Sequence, residues 1–182
     1  MNKTNNAQRG RTWPLNVAMV LASVAMALPA IHARAQQLPP TVKPGMSLAE
    51  LQATGIDLQR VQRPERMPNG TRGLWQSLQS GDDGLSFEAT YFLRGTTVDR
   101  IDLVLVSAPD GNAAAFERIV GKLRGQFGPE LRSQQSSGAA TDETASWSDD
   151  DQNIAAYSRG ERGAEKIRVV YKRREVRNGD TL

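Results

Sequence analysis

An α+β fold, with an antiparallel sheet of about six strands and two helices on one face, follows from three patterns in this chain. Short runs alternate apolar and polar residues with period two, the mark of half-buried strands. Residues 112–127 carry apolar side chains at helical spacing. A short, fully punctuated helix start lies near residue 47. Strands grouped in runs between helices, without strict βαβ alternation, place the helices together over an antiparallel sheet.

The first helix is bounded at both ends. Ser47 stands at the N-cap and Glu50, three residues later, completes a capping box, with Met46 and Leu51 at the staple positions. Gly55 supplies a left-handed stop, and Ile56 is spaced to touch Leu51, which limits the helix to Leu48–Thr54. Arg63–Arg72, with Pro64, Pro68 and Asn69-Gly70, is a loop. Three strands follow. Leu74–Gln79 leads into the turn Gly81–Gly84, and Leu85, Phe87, Ala89, Tyr91 and Leu93 then alternate with polar neighbours. After Gly95, Ile101, Leu103 and Leu105 do the same.

In the second helix, Asn112–Phe127, the residues Phe116, Ile119, Val120, Leu123 and Phe127 share a narrow face, and Gly128-Pro129 ends it. Glu130–Glu143, rich in Ser, Gln, Gly and Ala, reads as a mobile loop, and either it or a sheet face presents contacts to a partner. Thr144–Ser148, Asn153–Arg159 and Glu165–Arg173 are the closing strands. Helix and three strands thus occur twice. Gly55 precedes Trp75 by 20 residues and Gly128 precedes Trp147 by 19, as in a degenerate tandem αβββ repeat. Both tryptophans read as core anchors.

Residues 1–35 have the form of a signal peptide. Lys3, Arg9 and Arg11 precede the apolar run Leu15–Ile31, and Ala33-Arg34-Ala35 gives the small-x-small cleavage pattern. Its loss removes His32, the only histidine, from a chain that already lacks cysteine. Most routes to acid–base, nucleophilic and zinc chemistry go with it. The competing reading is a retained leader anchored in a membrane; an apolar run of 17 residues is at the short limit for a span, and Pro29 with the Ala-x-Ala site favours the peptidase. Four basic residues leave with the leader, so the remainder carries 19 basic and 20 acidic residues and offers no general attraction to nucleic acid. Its 147 residues suit one domain at 45–173, with an extended tether at 36–44 and a flexible tail at 174–182.

Pro44-Gly45-Met46-Ser47-Leu48-Ala49-Glu50-Leu51 resembles the Gly-Met-Ser/Thr-x-x-Glu-apolar helix start of small envelope proteins of the SmpA/OmlA (BamE-like) group. The element order is similar to that of secreted β-lactamase-inhibitor-like domains. This chain departs from the first in having no lipid-attachment cysteine and from the second in having no paired cysteines. What the resemblance implies is a non-enzymatic protein-binding role outside the cytoplasm, periplasmic or secreted, with an inhibitor or immunity protein as its more specific form. It assigns no individual residue.

Asp149, Asp151 and Asn153 match the opening ligands of a calcium loop, but Ile154 takes the turn-glycine position and Gly160 the closing glutamate position, so a solvated hairpin turn is the better reading. Glu88, Asp99 and Asp102 are the acids available to an alternative function, a carboxylate-dependent hydrolase of envelope polysaccharide; Asp102 near Arg100 or Arg168 reads instead as a cross-strand partner. Lys166, Arg168, Lys172, Arg173, Arg174 and Arg177 are basic either to meet an anionic surface or as a solvated or edge strand whose cations deter sheet pairing. Gly121 and Gly125 fall on the outward stripe of the second helix beside Arg118, as a site of close approach or as tolerated surface glycines. The sheet face away from the helices carries Phe92, Val104 and Val170 among arginines, an interface-like composition. The candidate interface residues are therefore Phe92, Arg100, Arg118, Gly121, Gly125 and Arg168, for a protein partner and with no cofactor, metal or catalytic residue assigned.

Overall fold

The computed structural model describes residues 38, 41–134, 140–149 and 151–174. Along the chain run α1 (Leu48–Ala53), β1 (Gln59–Arg60), β2 (Arg72–Ser80), β3 (Ser86–Arg94), β4 (Thr97–Ser107), α2 (Asn112–Phe127), β5 (Arg132–Gln134), β6 (Ala140–Ser148), β7 (Gln152–Glu161) and β8 (Lys166–Arg173). The strands form one sheet in the order β1-β2-β3-β4-β8-β7-β6-β5. Every neighbouring pair is antiparallel. The α+β architecture stands; the strand count is eight instead of six.

The two extra strands are the edges. Gln59–Arg60 and Arg132–Gln134 are short, polar and exposed, so neither carries a periodic signal. Their existence rests on backbone pairing with β2 and β6 alone. Part of the supposed 130–143 loop is therefore strand, and residues 135–139 lie outside the described residues.

α1 keeps its predicted start. Ser47 Oγ accepts from the Glu50 N–H (3.2 Å) and Glu50 Oε2 accepts from the Ser47 N–H (2.7 Å). The helix is tied to the β3–β4 hairpin, since the Leu48 N–H donates to the Thr96 carbonyl (2.7 Å) and the Val98 N–H to the Met46 carbonyl (2.8 Å). Leu51 then enters the common core. The tether reading fails here: Leu38 is 1% exposed and Val42 0%, and both belong to the same core. The two aliphatic side chains anchor this stretch.

On the core side, one rung of the sheet runs Trp75, Tyr91, Ile101, Tyr171, Ile154 and Trp147 across six strands. The tryptophans stand at equal distance from the central β4–β8 pair. α2 covers this side with Phe116, Ile119, Val120 and Leu123, all buried. A bulge where Phe92 pairs with Arg100 but Leu93 pairs with Val98 leaves Asp99 extra in β4. It resets the alternation, so that Val98 points to the core and Arg100 to the other side.

α2 ends at Gly128, whose φ of 78° suits glycine. The Trp147 Nε1–H donates to the Gly128 carbonyl (2.9 Å), meeting one of the carbonyls a helix end leaves open. Just beyond, Arg124 makes a two-point pair with Glu130 (2.8 and 2.6 Å). That guanidinium, helped by backbone N–H bonding, pushes the Glu130 carboxyl down from 4.5 to about 2. A carboxyl depressed in the folded state adds stability above its unfolded value of 4.5, and the contribution is lost as pH falls through about 2. An NMR titration of the Glu130 carboxyl is expected to show that low midpoint, returning toward 4.5 in Arg124→Ala. A wild-type midpoint near 4.5 counts against the pair.

Candidate functional site

The side of the sheet facing away from α2, the open face, is built from below by a glycine. A Cβ on Gly73 would lie 3.0–3.2 Å from the Phe92 ring and the Thr90 methyl, so a larger residue would press the ring away from β2 by a few tenths of an ångström. Phe92 is accordingly buried. Its ring carries the Arg100 guanidinium 5.6 Å from the centroid. Arg100 in turn holds Asp102, Nε to Oδ1 at 2.6 Å and Nη2 to Oδ2 at 3.1 Å.

Arg168 reaches Asp102 from the neighbouring strand, its Nη2 donating to Oδ2. Asp102 is 3% exposed and stands opposite Val170 in the β4–β8 pairing. One carboxylate thus orients two guanidiniums at the middle of the face. Burial pulls both arginines below the ordinary guanidinium range; in Arg168 the Arg100 charge adds to this, while Glu65 opposes it for both. Arginine stays cationic through shifts of this kind.

Three shallow hollows adjoin the pair, and Arg100 lines each of them. The first, about 540 Å³, has walls of Val104, Val170, Tyr157, Arg159, Lys166 and Arg168. The second, about 590 Å³, runs past Tyr157, Ala155, Ser146, Lys172 and Leu131. The third, about 220 Å³, lies toward Met67 and Pro68. Arg159 pairs with Asp142 (2.9 Å) and stacks on the Tyr157 ring (5.4 Å).

The large apolar side chains exposed among the described residues are Leu78 at 71%, Leu131 at 69%, Val106 at 54% and Val104 at 38%. Leu78, Val104 and Leu131 border the open face, and Val106 sits in a bulge of the β3–β4 pairing. Leu78 and Val104 both align with Glu88 across adjacent strands, Val106 follows two residues on, and Leu131 walls the second hollow. Apolar patches with arginine among them match the composition of protein interfaces.

Of the candidate interface residues, Phe92, Arg100 and Arg168 come together here. Arg118, Gly121 and Gly125 do not, because they lie on α2 on the other side of the sheet. Arg118 plays a structural part instead. It pairs with Asp110 (3.4 Å) and donates to the Asp83 carbonyl (3.5 Å), while Lys122 pairs with Asp83 (2.8 Å). These contacts dock the β2–β3 turn on the helix. Gly121 and Gly125 have nothing within 4 Å of a built Cβ. Close approach by described backbone is thus absent, and Gly121→Ala and Gly125→Ala are each expected to raise stability by about 0.5–1 kcal/mol. A calorimetric melt checks this; a lower midpoint indicates a packed surface. Ala33 and Ala35, the cleavage pattern, lie outside the described residues.

The basic cluster is not an edge. β8 sits between β4 and β7, so Lys166, Arg168 and Lys172 project from the middle of the open face. Edge protection therefore cannot be their role; Arg177 lies outside the described residues. Of the acids considered for hydrolysis, Asp102 has both oxygens engaged by guanidinium donors. Asp99 is held by Arg94 (3.3 Å) and Asn69 (3.5 Å). Between β6 and β7 the Asp149 N–H donates to the Gln152 carbonyl (2.8 Å), as in a tight hairpin connection. Sequence reasoning missed Tyr157, Leu78, Val106 and Leu131. Period-two alternation in β7 contained the signal for Tyr157, whereas the others needed the strand order. Comparison with family models, with curated proteins and with solved structures gives no match.

Proposed function

We propose that this chain is an exported, non-enzymatic protein-binding module of the bacterial envelope that engages its partner through the open face. An inhibitor or immunity protein is the more specific form of this reading. The observation that carries it is that exposed Val104 and Leu131 line the hollows beside the Arg100–Asp102–Arg168 group, with exposed Leu78 further along the same face. Export rests on the leader pattern in residues 1–35. The two halves are further proposed to be duplicates. Each has a helix, a short edge strand and a three-stranded meander, and the tryptophans share a rung, which supports common descent.

The test is site-specific photocrosslinking in the native compartment. A photoreactive residue at Val104 is expected to give one discrete protein adduct, and the same probe at Gly121 none. Arg100→Glu in the Val104 background is expected to abolish the adduct. Equal adducts from both sides of the sheet, or none from either, refute the assignment.

A further inference from the structure

We infer that Arg100 and Arg168 form a carboxylate clamp, held in register by Asp102, that takes an Asp or Glu side chain from an acidic segment of the partner protein. The inference rests on the binding role just proposed and names the chemistry recognised there. Asp102 uses both oxygens to fix the two guanidiniums, so their orientation is set before any partner arrives. Arg100 is further seated on the Phe92 ring. The Arg168 side chain remains 40% exposed beside the first hollow. Its Nε is screened from solvent, so an incoming oxygen meets the exposed end of the guanidinium instead.

Charge selects the ligand. Two guanidiniums against one carboxylate leave one positive charge between β4 and β8, Lys166 adds another at the wall of the first hollow, and Arg159 is already balanced by Asp142. That positive excess suits an acidic side chain, and Asp102 at the centre repels a phosphate dianion more strongly than a single carboxylate. The walls beside the clamp are Val104, Val170 and the Tyr157 ring, which suit an apolar side chain next to the acid. An acidic peptide segment with an aliphatic neighbour supplies both. Planar two-point recognition of this kind needs arginine, because lysine offers only a point charge.

The experiment titrates the full chain with the peptide acetyl-Gly-Glu-Leu-Gly-amide and its Gln counterpart, following arginine Nε–H and backbone amide NMR signals. Inorganic phosphate and phosphatidylglycerol–phosphatidylcholine vesicles serve as the other anions. The Glu peptide is expected to shift Arg168 Nε–H and the amides of Val104, Tyr157 and Val170 saturably, and the Gln peptide to leave them unmoved. Asp102→Asn removes a negative charge, so a purely electrostatic face would bind the peptide more tightly. The clamp predicts the reverse, weakening of about tenfold, as for one charge-assisted hydrogen bond. Arg168→Lys keeps the charge and is expected to weaken binding similarly; it carries the test alone if Asp102→Asn does not fold. Tighter binding in Asp102→Asn, unchanged binding in Arg168→Lys, equal shifts from the Gln peptide, phosphate or vesicles, or no shift at all overturns the clamp. Where the Val104 adduct persists with Arg168→Lys and the peptide fails, the clamp falls and the binding module stands.

Discussion

Leu38→Ala is expected to destabilise the domain by about 3 kcal/mol, a fall of roughly 6–12 °C in melting midpoint. Leu38 is 1% exposed and packs in the same core as Leu51, Tyr91 and the buried face of α2. Truncating it removes the transfer energy of the side chain and leaves a cavity in the common core. Val42 lies four residues on and is also fully buried, so the segment is fastened at two points. Val106→Ala, at a position 54% exposed, is the control and is expected to change stability by less than about 0.5 kcal/mol. Urea unfolding followed by circular dichroism measures both. Equal, small effects would restore the tether and detach residues 38–44 from the fold.

The segment around Leu38 and Val42 is where reading the sequence failed most plainly. Three nearby prolines resemble linker composition, and nothing local says that two aliphatic residues reach a distant core. Burial of this kind is a tertiary property. The helix ends show the opposite case. Ser47, Glu50 and Gly55 act through their own backbone neighbourhood, so the capping box is readable without knowing the fold. Alternation in β3 and β4 was legible for the same reason, up to the bulge at Asp99.

The candidate site was half legible. Alternation alone places Phe92, Arg100, Asp102 and Arg168 on one kind of face, and opposite charges on strands invite pairing. Which strands adjoin is a separate matter. β8 next to β4 is what turns the basic C-terminal run from edge protection into the centre of the open face. The glycine stripe on α2 misled because helical spacing reports a face without reporting its partner. Open space around Gly121 and Gly125 shows those positions to be bare, and Arg118 beside them is occupied with Asp83 and Asp110.

The tryptophans that suggested an internal repeat are expected to differ sharply in energy. Trp147→Ala should cost about 4 kcal/mol, and Trp75→Ala about half that. Trp147 is 2% exposed and its indole N–H caps the Gly128 carbonyl, so its loss opens a core cavity and strands the end of α2. Trp147→Phe separates the two effects: most of the packing stays, and the lost hydrogen bond leaves a deficit of about 1 kcal/mol. Trp75 is only half-buried, with the Arg60 guanidinium 5.9 Å from its ring as partial cover. The difference follows from the helices. α2 has 16 residues and ends where Trp147 can meet its last turn, whereas α1 has 6 and is fastened to the β3–β4 hairpin instead. Guanidinium unfolding of the three variants decides it. Equal losses at Trp75 and Trp147 would mean that the two halves carry their cores alike. Unequal losses mean that the longer helix gives Trp147 a role that Trp75 lacks.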